Sequence, residues 1–153
     1  MQLFYTDYLD NLNELHTDIL RTISDLPHEA LDWSPFSGGN SCSVIITHLV
    51  GAEKYWLGDV VAGVPSGRDR KAEFGVKNLT VGELEARLQE SLSFVGDVLA
   101  NLVLGDLETS RISPRNDQEV TIAWALDHTL KHTAIHLGHV QITRQLWQEQ
   151  RED

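Results

Sequence analysis

The sequence predicts an all-α protein, a four-helix bundle with long connections. Two observations predict it. Apolar residues recur at steps of three and four in four separate stretches, the period of one helix face. Segments rich in Gly, Pro and Asn divide those stretches, and none of the four shows the alternation of a strand. One core must bury four stripes, and a bundle does so. With 153 residues the chain is read as a single domain, residues 1–153. A chain of that size buries roughly 70% of the surface its unfolded form exposes.

The first stripe runs Tyr8, Leu12, Leu15, Ile19, Ile23 and Leu26, and Pro27 marks its end. Pro27 to Asn40 reads as a loop, with Pro35, Gly38 and Gly39. Asn40, Ser41 and Ser43 are each able to cap a second helix, whose stripe is Ile45, Leu49, Ala52, Trp56 and Val60. Gly63 and Pro65 end it. Residues 63–79, GVPSGRDRKAEFGVKNL, form a connection too polar and Gly-rich to belong to the core. Thr80 and Glu83 make a capping box that opens a third helix, carrying Leu84, Leu88, Leu92, Val95, Leu99 and Leu102. Residues 103–118 read as a third connection, and a fourth helix spans about Val120 to Gln148. Because two connections exceed ten residues, a crossover is compatible with the pattern.

Composition removes several classes of function. The net charge is −11, from 23 acidic and 12 basic residues. Nucleic-acid binding rests on Lys and Arg neutralising phosphates, so no nucleic-acid partner is expected. The one basic cluster, Arg68-Asp69-Arg70-Lys71, reads as a solvated loop. No apolar run approaches the roughly 18 residues a membrane span needs, and MQLFYTDYLDNL reads as no secretory signal. The only cysteine, Cys42, permits no intrachain disulfide and reads as a small buried side chain. A cytoplasmic setting is expected.

The informative residues are the seven histidines, at 16, 28, 48, 128, 132, 136 and 139. Four fall within twelve residues of the last helix. Side chains at i and i+4 share a helix face, and two imidazoles so placed reach one ion at about 2.0–2.1 Å per bond. The pairs 128/132 and 132/136 qualify, and 136/139 nearly does. Spacing alone does not choose among them, although His132 and His136 sit at the edge of the apolar stripe. His48 lies among Ile45, Ile46, Leu49 and Val50. A lone histidine there is ordinarily a core residue, but a chelating pair on a facing helix makes it a candidate third ligand. His16 and His28 read as surface residues. Glu53 and Asp59 could orient a ligand, with solvation as the default.

Taken in order, these segments resemble the DinB family (DinB/YfiT-like fold) of metal-binding bundles, in particular its thiol-transferase-like branch. The resemblance is carried by His132-Thr-Ala-Ile-His136-Leu-Gly138 and by Gly39-Asn40-Ser41 leading to Ile45-Ile46-Thr47-His48-Leu49. Leu31-Asp32-Trp33-Ser34-Pro35 and Ala52-Glu53-Lys54-Tyr55-Trp56 add to it. His139 stands where many members have Gln. The resemblance implies that His48, His132 and His136 hold one divalent metal ion. Zinc or nickel is expected first, iron or manganese next.

Three imidazoles without a fourth protein ligand leave an open position, able to activate a water or a thiol. The resemblance implies thiol chemistry: a low-molecular-weight thiol moved onto an electrophile, in detoxification or thiol metabolism. Trp33, Asn40, Tyr55, His139 and Arg144 are the further candidates for the pocket. A homodimer is also expected, with Trp124 or Trp147 as interface aromatics. The competing readings are a hydrolase or isomerase on the same histidines, and a non-catalytic metal-binding stress bundle closed by His139.

Overall fold

The structure is a computed structural model and describes residues 1–151. Its elements are α1 (Leu3–Ile23), α2 (His28–Asp32), α3 (Cys42–Lys54), a π-helical segment (Tyr55–Ala62), α4 (Arg70–Glu73), α5 (Val81–Ala100), a 3-10 turn (Leu104–Glu108), β1 (Ser110–Ile112), β2 (Glu119–Thr121) and α6 (Ile122–Glu149). Helices α1, α3, α5 and α6 are the four the apolar periods predict. No helix is long and apolar enough to cross a membrane among the described residues.

Local chemistry sets the helix ends. Ser41, one of the three predicted caps, accepts from the Val44 amide and starts α3. The Thr80–Glu83 capping box opens α5 as expected. Thr121 caps α6 through the Trp124 amide. The helix begun at α3 widens into π turns from Tyr55, a feature that often marks functional sites. It stops at Gly63, whose φ of +67° is the left-handed conformation glycine adopts without strain.

Two sequence expectations are corrected. The stretch Pro27 to Asn40 is not all loop, because α2 occupies its first part. The third connection runs on to Thr121 as a small antiparallel hairpin, β1 with β2, registering Arg111 against Val120, and the last helix begins at Ile122. Three-residue strands are too short to display a period of two, so the sequence pattern could not reveal them.

Helix α1 packs on α5 and α6, and α3 packs on the same two, so α1 faces α3 across the diagonal. The chain therefore crosses the bundle diagonally between α1 and α3 and again between α5 and α6. The long connections make those crossings.

The core comes in two apolar blocks. One holds Tyr5, Tyr8, Leu12, Trp56, Leu57, Val95, Leu99 and Ile122. The other holds Ile19, Ile23, Ile46, Leu49, Leu84, Leu88, Leu137 and Val140. Between them lies a polar layer. Glu53 on α3, fully buried, accepts from His16 Nε2 of α1 at 2.9 Å. It also accepts from Ser91 Oγ of α5 at 2.6 Å and Thr133 Oγ1 of α6 at 2.7 Å. One carboxylate thus ties all four helices together. His16 and Glu53 are not surface residues, as their polarity suggested. Each sits on the buried face of its helix, and Glu53 takes the Nε2 side of the His16 ring while Nδ1 has no partner among the described residues. Burial raises the Glu53 carboxyl, but the His16 ring and the three hydrogen bonds outweigh it and hold the group below the usual carboxylate range.

Candidate metal centre

His48 comes from α3, and His132 and His136 come one turn apart from α6, the helix packed against it. One ring nitrogen from each lies within 4.8 Å of the other two, and all three side chains are half-buried. Nε2 of His132 stands 3.2 Å from Nε2 of His136. Two nitrogens bonded at about 2.0–2.1 Å to a tetrahedral ion are separated by about 3.3 Å. The observed spacing fits a shared ion.

Protonation also suits metal binding. Burial, helped by the neighbouring imidazoles, pushes His132 down to about 4 and His136 down to about 3. Both rings are neutral at pH 7 and offer lone pairs. For His48 the tautomer follows from its partner. Nδ1 lies 2.9 Å from Glu73 Oε2. Burial pushes the Glu73 carboxyl up, but hydrogen bonds from Arg68 and His48 win and keep it below its ordinary range. An ionised carboxylate only accepts, so Nδ1 carries the proton and the Nε2 lone pair is left for an ion.

Glu73 is the residue that sequence reasoning missed. It ends the single turn of α4, in the connection read as wholly polar, yet it is buried. Arg68 fixes it with two bonds, Nε to Oε1 at 2.5 Å and Nη2 to Oε2 at 2.9 Å. The basic cluster is therefore not a plain solvated loop, because Arg68 turns inward to this pair. Gly51 makes room for the carboxylate: a Cβ there would lie 2.2 Å from Glu73 Oε1. Partners of this kind tune metal ligands by roughly 10–100-fold in affinity. Both Glu73→Gln and Gly51→Ala are expected to weaken divalent-metal binding by about that range, measured by competition with a chromophoric chelator. Unchanged affinity in both would remove Glu73 from the site.

A cavity of about 300 Å³ opens beside the histidines. Its lining includes His48, His132, Trp56, Trp124, His128, Arg68, Arg70 and Arg115. His128 is half-buried and stacked on Trp124 at 4.7 Å, so it is a wall of this cavity rather than a solvated side chain. Burial, with Lys131 nearby, holds it below the usual histidine range.

The other sequence candidates are placed differently. Trp33 packs edge-on against Trp147 at 5.6 Å. Asn40 is exposed ahead of α3. Arg144 is engaged with Asp25 and with the Thr22 carbonyl of α1. None of these three lines the cavity: Trp33 and Arg144 are held elsewhere by partners of their own, and Asn40 faces solvent. Tyr55 is buried beneath it: its hydroxyl bonds Ser113 Oγ at 2.6 Å and accepts from the Arg115 amide at 3.3 Å, pinning the hairpin to the bundle. His139 is exposed, with Nδ1 at 3.2 Å from His136 Nδ1, and lies outside the three-nitrogen group. Cys42 is buried and its thiol is pushed up to about 12 by desolvation, which removes it as a nucleophile. Trp124 packs edge-on against Trp56 at 5.2 Å, so both suggested interface tryptophans have partners within the chain.

A mostly helical bundle of this topology is the architecture of the DinB-like proteins. The chain belongs to the mycothiol-S-transferase family, whose profile matches residues 7–149. No curated protein sequence matches it. Among solved structures, it is similar to a conserved protein of Enterococcus faecalis, with TM-score 0.78 and 14% identity over 95% of this chain and 97% of that one. It is similar to YfiT from Bacillus subtilis, described as a probable metal-dependent hydrolase with an unusual four-helix bundle topology. That match has TM-score 0.73 and 16% identity over 94% of this chain and 87% of that one. A mutant of the mycothiol-dependent maleylpyruvate isomerase matches with TM-score 0.64 and 12% identity, over 90% of this chain and 62% of that one. At these identities the structures speak for the fold alone.

Proposed function

We propose that this chain is a metal-dependent S-transferase that joins a low-molecular-weight thiol, of the mycothiol kind, to an electrophilic small molecule. The observation that carries the reading is the group of three imidazole nitrogens within 4.8 Å, opening on a cavity, in a chain of this family. His48, His132 and His136 would hold one divalent ion, each through Nε2. Zinc or nickel suits the all-imidazole set best. When bound, such an ion lowers the pKa of a thiol so that thiolate is available at neutral pH.

The rest is the work of the protein's own residues. Glu73 holds the His48 proton at Nδ1 and so aims the ring. Thr133, bonded to buried Glu53, fixes the face of α6 beside His132. Trp56 meets the stacked Trp124–His128 pair edge-on, and together they form an aromatic corner against which a substrate is oriented and water is excluded.

The test is thiol consumption by the zinc- or nickel-loaded protein, offered monochlorobimane with mycothiol, cysteine or other small thiols. Turnover that disappears on chelation, and is absent in His132→Ala, is the expected result. Metal-dependent loss of no thiol at all would exclude transfer and leave hydrolysis or isomerisation as the chemistry to examine.

A further inference from the structure

The cavity beside the histidines is cationic in a protein that is strongly anionic. The chain carries 12 basic residues against 23 acidic ones, yet Arg68, Arg70 and Arg115 converge on this one opening from two separate connections. Arg68 is neutralised by Glu73. Among the described residues, neither Arg70 nor Arg115 has a carboxylate partner. Arg70 rests on the Phe74 ring at 5.1 Å, and Arg115 rests on the Tyr55 ring at 5.6 Å. Arg68 lies over the same Tyr55 ring at 5.8 Å. Aromatic faces hold a guanidinium in place without using up its donors. Among the described residues, no Asp or Glu lines the cavity to cancel these charges.

Both guanidiniums are exposed at the rim, where water screens their repulsion and their donors stay free for a ligand. A surface with net charge −11 repels anions at long range, so a local positive opening is what would draw one in. A guanidinium fork matches a carboxylate in geometry, with two parallel N–H donors. A volume of about 300 Å³ suits a molecule of metabolite size.

We infer that Arg70 and Arg115 form a carboxylate subsite, so that the electrophile this enzyme accepts is a small organic acid. The inference rests on the transferase reading for the word electrophile, but the subsite itself is a binding claim. Trp56 and the Trp124–His128 stack would receive the body of the acid, with the arginines holding its carboxylate at the rim.

The test uses metal-loaded protein and a matched pair of probes, succinate and its neutral diamide, titrated by calorimetry at low salt. Wild type is expected to bind succinate and to bind succinamide at least tenfold more weakly. Arg70→Gln and Arg115→Gln are each expected to weaken succinate binding by about tenfold, the double variant by more, with metal content unchanged. Equal binding of the two probes would overturn the subsite. So would full succinate affinity in the double variant, since the acid would then be held by the metal alone.

Two further outcomes separate this claim from the reading it rests on. Succinate binding that depends on the arginines, in a protein with no thiol-transfer activity, keeps the subsite and removes the transferase. Transfer onto neutral monochlorobimane, with succinate affinity indifferent to both arginines, keeps the transferase and removes the subsite.

Discussion

Glu53→Ala is expected to destabilise the protein by about 3–5 kcal/mol, because it strips the shared acceptor from a buried hydrogen-bond network and leaves its donors without a partner. His16 Nε2, Ser91 Oγ and Thr133 Oγ1 all bond this one carboxylate, which has no exposure to solvent. For a domain of this length the melting temperature should fall by roughly 10 °C or more. The apolar replacement His16→Leu with Glu53→Met should recover most of the loss, since a buried pair is replaceable by packing whereas half a pair is not. The two hydroxyls can then turn back to their own helix, as Thr129 does to the Ala125 carbonyl.

The pH dependence has a definite sign. The folded Glu53 carboxyl lies below its ordinary value, so its contribution is present above the unfolded pKa of 4.5 and is lost as pH falls through the folded value. The margin of wild type over Glu53→Gln should therefore be full at pH 7 and shrink below about pH 4.5. A margin that grows on acidification would show that the carboxyl is protonated in the fold.

His132→Ala is expected to weaken divalent-metal binding on the order of a thousandfold, beyond the 10–100-fold range typical of outer partners. It removes the nitrogen nearest His136 and leaves two imidazoles on two helices. The effect should show in stability. Metal at about 1,000 times its Kd adds about 4 kcal/mol by mass action, so chelation should lower the wild-type melting temperature by roughly 10 °C. In His132→Ala, chelator should shift it by only about 1 °C. His139→Ala, by contrast, should retain the chelator response, because that ring stands outside the group of three. Loss of the response in His139→Ala would make it a fourth ligand and close the site.

The helices were legible because burial is periodic. The pair His132 and His136 was legible as a spacing, but spacing also allowed two other pairs, and only the bundle's packing brings His48 to this one. The polar layer carried a signal that went unread. His16 falls between Leu12 and Ile19 on the buried period of α1, Glu53 between Leu49 and Leu57 on that of its helix, Ser91 between Leu88 and Val95, and Thr133 between Thr129 and Leu137. Taking Leu15 and Leu92 as stripe members hid two of these, and the structure leaves both only partly buried. A polar residue at the same depth on each of four stripes is the pattern of a central network.

Glu73 offered no such signal. It lies in a Gly-rich connection with no period, and its role exists only through contacts with His48, Arg68 and the bare backbone at Gly51. The arginine opening was equally hidden, since Arg115 lies far along the chain from Arg68 and Arg70. The hairpin brings it there.

The central claim is one divalent ion held by three imidazoles with a position left open. X-ray absorption spectroscopy of the zinc- or nickel-loaded protein, at a measured metal-to-chain ratio, tests it most directly. The account predicts one ion per chain with three imidazole nitrogens at about 2.0–2.1 Å and a remaining light-atom ligand that the protein does not supply. Four imidazoles, or a spectrum unchanged by His48→Ala, would contradict it.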